Sequence, residues 1–381
     1  MSSDPIEVHK KLRGKIFISA KAKLKTIDDL ATLYTPGVAK PCLEIASNKQ
    51  LAYDYTMKGN TVAIVTDGSR VLGLGNIGPE AALPVMEGKA LIMQQFGKID
   101  AIPICLDAKG KTADEIVELV KAIAPAFGAI NLEDIETPKV FYIEKRLTEE
   151  LNIPVFHDDQ HGTAMVTLAG LYNALKVLGR NDLTSKIGIV GAGSAGYAIA
   201  KLLYAAGFTN LTVFDSRGAL SSSRTDLVGK DEYKKNLVFG SSFNGQLKDF
   251  TGADVLISAA LPGSVPIETI KSMNKPNIVF ALSNPTPEIS LEQAGQLKID
   301  IFGTGRSDYP NQINNSVCFP GFLRALLDLR VTKITDEMKI AAARGIAESV
   351  KNPTSDKIVP DAFDKNVVKN IFKKVSKVIR K

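Results

Sequence analysis

The stretch Ile187-Gly188-Ile189-Val190-Gly191-Ala192-Gly193-Ser194-Ala195-Gly196 decides the fold of this chain. Its apolar start is predicted as a strand, and that strand runs into three glycines spaced G-x-G-x-x-G. A predicted helix over 197–206 and a strand over 211–214 follow, and Asp215 ends the strand. The first glycine makes the tight turn, the second admits a pyrophosphate, and the third packs the helix on the strand. The sequence therefore predicts a Rossmann-type domain in which Asp215 binds ribose hydroxyls.

A second G-x-G-x-x-G pattern, Gly73–Gly78, competes for the dinucleotide. It follows a predicted hairpin of strands 61–66 and 70–74, and the next acidic residue after it at a strand end, Asp107, comes late. A lone glycine pattern without a strand, a helix and a well-placed acid is weak evidence. The downstream pattern is therefore assigned to the cofactor.

The choice of dinucleotide depends on the charges after the second strand of that domain. Asp215 favours NAD, because its charge would repel the 2′-phosphate of NADP. Arg217 and Arg224 follow closely and could accommodate that phosphate, so NAD is expected and NADP stays open. The predicted cofactor contacts are Gly191, Gly193, Ser194, Ala195, Gly196, Asp215, Arg217 and Asn284.

Apolar runs alternate with helical patterns along the rest of the chain. Upstream strands are predicted at 61–66, 101–106, 129–132 and 152–156, with helices at 80–96, 111–124 and 139–150. Downstream strands are predicted at 254–260, 278–283 and 299–302. This alternation is typical of βαβ units. We expect an α/β protein with an N-terminal α/β substrate domain, 1–160, and a doubly wound parallel-sheet domain, 161–381.

Two acidic pairs stand at the carboxyl ends of predicted strands. Glu133-Asp134 follows the strand 129–132, and His157-Asp158-Asp159-Gln160-His161-Gly162-Thr163 follows the strand 152–156. Several carboxylate oxygens brought together make a site for a hard cation such as Mg²⁺ or Mn²⁺. The histidine spacing superficially matches H-E-x-x-H, but that zinc motif needs a Glu after its first His and a continuous helix. An Asp capping the helix that starts at Gly162 is compatible with the metal site.

Composition excludes several classes of protein. The net charge of +6 over 381 residues is too mild to indicate nucleic acid, although basic residues concentrate at both ends. The C-terminal run has amphipathic helical spacing with a solvated basic face. Three scattered cysteines without a CxxC pair fit a reducing compartment. With no apolar leader and no run of about 18 apolar residues, we expect a soluble cytoplasmic protein that does not bind membranes.

Three single residues have structural alternatives when their patterns are considered alone. Tyr34, just before the Pro36-Gly37 turn, is typical of a half-buried packing tyrosine. Lys89 lies in an apolar run, where a lysine either extends to water or becomes a general base with a lowered pKa. Asn284 ends a predicted strand beside the cofactor crevice, or simply forms an Asn-Pro turn.

Taken together, the chain resembles malic enzymes, specifically the short prokaryotic form without an appended transferase domain. The resemblance extends over nearly the whole length and reverses the structural interpretations of Tyr34 and Lys89. It rests on blocks that occur in the family's order: Leu33–Val38, Arg70–Gly75, Glu87–Lys89, Leu132–Asp134, His157–Thr163 and Leu282–Thr286.

The resemblance implies oxidative decarboxylation of (S)-malate to pyruvate and CO₂ with reduction of NAD(P). Glu133, Asp134 and Asp159 are implied to bind Mg²⁺ or Mn²⁺, which polarises the C2 carbonyl before CO₂ leaves. Lys89 is implied to remove the proton of the C2 hydroxyl, and Asp158 to support the site and tune Lys89.

The remaining implied roles concern the substrate. Tyr34 protonates C3 of the enol, and Arg70 pairs with a substrate carboxylate through its planar guanidinium. Asn284 and Asn314 (or Asn315) bind the other polar groups of malate. The short forms are implied to be homodimers whose N-terminal arm reaches the partner subunit, so that Tyr34 acts in trans as a hypothesis.

Three other functions stay open from the sequence. An oxaloacetate decarboxylase would keep this fold without the oxidation, so malate would not reduce NAD. An amino-acid dehydrogenase also pairs a lysine with a Rossmann domain, but it would work in EDTA. A nucleotide-sensing protein would bind NAD without turnover, although a double acidic pair is costly unless it holds a cation.

Overall fold

The computed structural model describes residues 4–180 and 183–380 and contains two sheets of parallel strands. The first sheet has the order β2-β1-β3-β4 and contains β1 Thr61–Thr66, β2 Asp100–Cys105, β3 Ala129–Leu132 and β4 Val155–His157. The second has the order β10-β9-β8-β5-β6-β7 and contains β5 Ile187–Val190, β6 Leu211–Asp215, β7 Gly218–Ala219, β8 Val255–Ser258, β9 Ile278–Ala281 and β10 Ile301–Thr304. Among the strands of these described residues, only β7 pairs antiparallel, with β6. The predicted α/β class is confirmed.

Helices connect the strands and surround both sheets. They are α1 Pro5–Leu12, α2 Ile27–Leu33, α3 Ala39–Ser47, α4 Ala52–Tyr55, α5 Pro79–Gly97, α6 Ala113–Ile123, α7 Lys139–Glu150, α8 Asp158–Val177, α9 Ser194–Ala205, α10 Ile267–Lys271, α11 Leu291–Gln296, α12 Phe319–Asp328, α13 Asp336–Ser349 and α14 Asn366–Ile379. Short 3₁₀ helices lie at Lys49–Leu51, Met57–Asn60, Ala124–Ala126, Gly229–Leu237, Leu247–Asp249 and Asn315–Val317. No helix among the described residues has both the length and the apolar character that crossing a membrane requires.

The predicted hairpin after β1 is wrong. β1 pairs in parallel with β2 and β3 instead, and all six of its residues are buried. The 70–74 segment does not reach it, because the N–H groups of Ile77 and Gly78 bond to the carbonyl of Gly68 and close the loop on itself. Central position in a parallel sheet leaves β1 no free edge for an antiparallel partner. The loop, residues 68–78, therefore stands at the carboxyl end of β1 with Arg70.

The start of α8 also differs from expectation. The helix begins at Asp158, so both aspartates lie in its first turn, and the N-cap His157 makes no capping hydrogen bond. The predicted aspartate cap is therefore wrong. Acidic side chains in a first helical turn interact favourably with the positive end of the helix dipole. From this position Asp158 contacts Lys89 of α5, and Asp159 accepts from the N–H of Asp134, just after β3, at 3.1 Å.

One apolar core contains side chains from both sheets. It includes Ile64 of β1, Phe156 of β4 and Ile189 of β5. Phe156 contacts Phe322 of α12 with ring centroids 5.5 Å apart. Helix α8 leaves the first sheet and packs on α9 and α13 in the second half. The first sheet precedes α8 and the second follows it, while the boundary between residues 160 and 161 stays a prediction.

The N-terminal helices differ from the rest of the chain, because α1 to α4 bury no residue. Large apolar side chains are exposed along this segment, including Phe17 at 88%, Ile18 at 95% and Leu43 at 72%. By contrast, the amphipathic C-terminal helix α14 is confirmed, since its apolar side is buried and packs on α12 and α13.

Candidate active site and metal centre

The two acidic pairs meet because β3 and β4 are neighbours in one parallel sheet. Leu132 lies opposite His157 in the register, so the residues after both strands emerge at the same edge. Glu133, Asp134 and Asp159 each offer an oxygen within 4.8 Å of the others. The buried Oδ2 of Asp134 has no hydrogen-bond partner among the described residues. Three oxygen ligands with an unpartnered buried carboxylate oxygen fit a Mg²⁺ or Mn²⁺ ion.

Burial and mutual repulsion make this cluster electrostatically costly. Burial raises the pKa of Glu133 well above its usual value. Burial, followed by the charge of Asp159, raises the pKa of Asp134 to about 7. For Asp159 burial acts in the same direction, but His157 and Lys89 outweigh it and hold the pKa below its usual value. A cation bound between these carboxylates would relieve their repulsion.

Lys89 on α5 points into this cluster. Its Nζ lies 2.8 Å from Glu133 Oε1 and also contacts Asp158 Oδ2, with the side chain only 13% exposed. The same nitrogen is 4.8 Å from the ring centroid of Phe319. Extension of Lys89 to water is therefore wrong. The alternative of a lowered pKa is also wrong in this arrangement. Burial acts to lower the pKa of Lys89, but the charges of Asp158 and Glu133 outweigh burial and raise the pKa above its usual value.

Gly162 holds a place that no larger residue fits. A Cβ built on it would lie 2.0 Å from Oδ1 of Asp158, one helical turn earlier, and 3.0 Å from Cβ of Asn315. The carboxylate of Asp158 thus occupies the space above Gly162 while its other oxygen contacts Lys89. Sequence reasoning assigned Gly162 only to a helix start and missed this role.

The dinucleotide fingerprint forms as predicted between β5 and α9. A Cβ on Gly191, which has φ of 100°, would lie 2.5 Å from the carbonyl of Ala259, and one on Gly196 would lie 1.9 Å from the carbonyl of Gly191. Gly193 faces open space. A cavity of about 670 Å³ extends from Gly191 and Gly193 to Asp215. It lies where β5 has neighbours on both sides, β6 and β8, which is the switch point at which such sheets bind nucleotides.

Asp215 lines this cavity with its charge balanced by two cations. Arg224 binds it through Nη1 and Nη2 at 3.1 and 3.2 Å, and Lys234 Nζ lies 3.1 Å from Oδ2. Burial raises the pKa of Asp215, but these cations and the N–H of Arg217 hold it below the usual value. The guanidinium of Arg217 instead pairs with Asp226 at 2.6 Å and is 60% exposed. Lys234 was missed, because it follows β6 by a long loop.

The loops that carry Arg70 and Asn284 meet across the cleft. The position of a Cβ on Gly73 lies 3.5 Å from the carbonyl oxygen of Asn284. The N–H of Arg70 donates to the carbonyl of Asp134 at 3.0 Å, which ties its loop to the acidic cluster. Buried Glu288 clamps the Asn284 loop, accepting from Ala260 N at 2.8 Å and from Ser283 N and Oγ. Glu288 has no sequence signal, because its partners follow two different strands, β8 and β9.

Asn314 and Tyr34 have no described contact with the three carboxylates of the cluster. Oδ1 of Asn314 accepts from Ser316 N at 2.9 Å as an N-cap, whereas Asn315 lies beside Gly162. Tyr34 caps the end of α2 and is 65% exposed, and no described contact joins it to Lys89. Ser194 is buried, and its hydroxyl shares a 2.5 Å hydrogen bond with Thr137, three residues after Asp134. That bond joins the loop of Glu133 and Asp134 to α9, the helix of the dinucleotide fingerprint.

Comparison with known proteins agrees with this geometry. The profile for "Malic enzyme, N-terminal domain" matches residues 13–148, and the profile for "Malic enzyme, NAD binding domain" matches residues 160–300 and 298–380. This chain belongs to the malic enzyme family. A "Bifunctional malic/malolactic enzyme" of Bacillus subtilis is 47% identical and covers 99% of this chain and 92% of its own.

Two other malic enzymes support the same assignment. The "NAD-dependent malic enzyme" of Geobacillus stearothermophilus is 50% identical over 94% of this chain and 75% of its own length. The crystal structure of an NAD-dependent malic enzyme from Thermotoga maritima superposes with a TM-score of 0.93 at 42% identity, covering 98% of this chain and 99% of that one. The expected family, fold and NAD(P) cofactor are thereby confirmed.

The contact between Gly162 and Asp158 gives a first testable prediction. Gly162→Ala forces Asp158 away from Lys89, and a displacement of this size near reacting groups lowers kcat by about 100-fold. Steady-state kinetics with malate measure the effect. Gly295→Ala in α11 is the matched control, because a Cβ there meets nothing within 4 Å. Equal kcat for Gly162→Ala and the parent would contradict the assigned role of Asp158.

Proposed function

We propose that this chain catalyses the oxidative decarboxylation of (S)-malate to pyruvate and CO₂, with reduction of NAD or NADP and a requirement for Mg²⁺ or Mn²⁺. One observation carries the proposal. Three carboxylates that fit a divalent ion lie together, one of them pairs with a buried lysine, and the loop that holds two of them is hydrogen-bonded to the fingerprint helix through Thr137 and Ser194. Oxidation of a 2-hydroxy acid followed by loss of its β-carboxylate requires the divalent ion, the base and the dinucleotide at one site.

The bound groups supply two parts of the chemistry: the divalent ion is a Lewis acid for the C2 oxygen, and the nicotinamide accepts hydride. Lys89 Nζ takes the proton of the C2 hydroxyl, for which it must first be neutral. The carboxylates around Lys89 oppose this by raising its pKa. A dication held by Glu133, Asp134 and Asp159 would offset that effect, and Asp158 keeps Nζ in place through its hydrogen bond.

We further propose that Arg70, Asn284 and Asn314 bind the substrate. Arg70 stands on the loop at the carboxyl end of β1, and its guanidinium suits a substrate carboxylate. Asn284 faces that loop from the cofactor half, which supports a contact with both malate and the nicotinamide. Free thiols at Cys42, Cys105 and Cys318 support a reducing compartment such as the cytoplasm.

The direct test follows malate, Mn²⁺ and each dinucleotide by absorbance of the reduced cofactor. We expect equal amounts of pyruvate and reduced cofactor, and no reaction in EDTA. Lys89→Met removes the general base at nearly constant volume and lowers kcat by about 10²- to 10⁴-fold. Lys145→Met, at an exposed position of α7, is the control. Decarboxylation of oxaloacetate without malate-dependent reduction would favour the decarboxylase alternative.

Asp215 provides a prediction about cofactor choice. Asp215→Asn removes the charge that a 2′-phosphate would meet while Arg224 and Lys234 stay. We expect the ratio of kcat/KM for NADP to that for NAD to rise about tenfold, the value of a charged hydrogen bond. Asp226→Asn is the control, because Asp226 also binds Arg224 but does not line the cavity. An unchanged ratio would contradict a contact between Asp215 and the ribose.

We propose that the chain forms a homodimer in which Tyr34 of one subunit completes the site of the other. Two observations support this arrangement. Large apolar side chains are exposed along α1 to α4, and Tyr34 has no described contact with Lys89 of its own subunit. Tyr34 then protonates C3 of the enol in trans.

A mixed dimer tests this arrangement. Tyr34→Phe and Lys89→Ala proteins, each inactive alone, should regain roughly a quarter of the parent activity after mixing, because half of the dimers are hybrids with one intact site. Mixing Lys89→Ala with Lys89→Met protein is the control and should recover nothing. No recovery in the first mixture would contradict action in trans.

A further inference from the structure

The two histidines of the central motif have no part in the proposed chemistry, yet both are bound on the side of the acidic cluster that faces α7. His157 is fully buried at the end of β4. Its Nδ1 lies 2.5 Å from Nε2 of Gln160, and its Nε2 lies 3.5 Å from Oδ2 of Asp159. The imidazole of His157 thus lies beside Oδ2 of Asp159, a proposed metal ligand.

Glu144 on α7 completes the set. Its Oε2 accepts from Nε2 of Gln160 at 2.7 Å, and its Oε1 lies 2.5 Å from Nε2 of His161. Burial raises the pKa of Glu144, but His161 outweighs it and lowers the pKa to about 2. A charged carboxylate accepts and does not donate. The Gln160 amide must therefore present its NH₂ group to Glu144.

This orientation fixes the tautomer of His157. With its NH₂ toward Glu144, Gln160 can only donate its second hydrogen to Nδ1 of His157, which must then be the acceptor. A neutral imidazole with an accepting Nδ1 carries its hydrogen on Nε2. Nε2 is buried without a hydrogen-bond partner among the described residues, and Oδ2 of Asp159 lies 3.5 Å from it.

One oxygen of Asp159 accepts a backbone hydrogen bond and also faces His157. The N–H of Asp134 donates to Oδ2 at 3.1 Å, on the same oxygen that faces His157. No donor among the described residues contacts Oδ1, which leaves that oxygen for a cation. We propose that Glu144, Gln160 and His157 form a hydrogen-bonded chain of positioning residues that orients the Asp159 carboxylate for the divalent ion. This inference rests on the metal assignment in the proposed function.

The proposal extends the site to α7, which the sequence placed outside it. Removal of a group that hydrogen-bonds to a metal ligand typically weakens metal affinity by about 10- to 100-fold. A role confined to packing would change stability but would leave the affinity of the folded protein for metal unchanged. The affinity for Mn²⁺ therefore separates the two roles without any measurement of turnover.

The experiment is calorimetric titration of the full-length protein with Mn²⁺ and, separately, with NAD. His157→Phe and Gln160→Met each remove the chain at similar volume, and we expect both to weaken Mn²⁺ binding at least tenfold with NAD affinity unchanged. His157→Gln, which keeps an N–H near the position of Nε2, should regain most of the affinity. Glu149→Gln, at an exposed position of the same helix as Glu144, is the control and should match the parent.

Several outcomes would overturn the proposal. Parental Mn²⁺ affinity in folded His157→Phe or Gln160→Met would show that the chain does not position Asp159. Equal losses of Mn²⁺ and NAD binding, without rescue by His157→Gln, would show that Glu144, Gln160 and His157 serve only in packing. A parent protein that binds NAD but no Mn²⁺ would overturn the metal assignment itself, which distinguishes failure of the proposed function from failure of this inference alone.

Discussion

The ion pairs of Lys89 with Glu133 and Asp158 are the constraint on which the rest of the site depends. Single charges are rarely buried unless paired, because leaving water costs several kcal/mol for each ion. Here one lysine stands among four carboxylates, so the pairs still leave an excess of negative charge. A dication would reduce that excess and would also release Lys89 from the charges that keep it protonated. The proposed metal binding and the proposed general-base function would therefore be coupled through the same contacts.

The fold keeps these groups together by simple topology. Adjacent parallel strands β3 and β4 deliver both acidic pairs to one edge, and α5 brings Lys89 across the same sheet. The 133–138 loop then touches α9 through Thr137 and Ser194, and a shared apolar core joins both sheets. The distance between the acidic cluster and the dinucleotide fingerprint is thus fixed by packed elements. Rigid support of this kind keeps reacting groups aligned.

The sequence predicted those features whose signal is local. The fingerprint and the acidic strand ends follow from short patterns, and both formed where expected. The hairpin at 61–74 failed, because pairing with β2 and β3 is decided by distant residues. The direction of the pKa shift of Lys89 also failed, since Asp158 lies 69 positions away along the chain. The hydrogen-bonded chain from Glu144 to His157 was missed for the same reason. Hydrogen bonds between α7 and α8 produce no pattern in the sequence of either segment alone.

The most direct test of the central claim is a crystal structure with Mn²⁺ and an unreactive malate analogue, with the ion located by its anomalous scattering. The account predicts one Mn²⁺ peak per subunit, coordinated by Glu133, Asp134 and Asp159, with Lys89 Nζ near the position of the C2 hydroxyl. A peak held by other residues, or full occupancy of the analogue with no Mn²⁺ between these carboxylates, would contradict it.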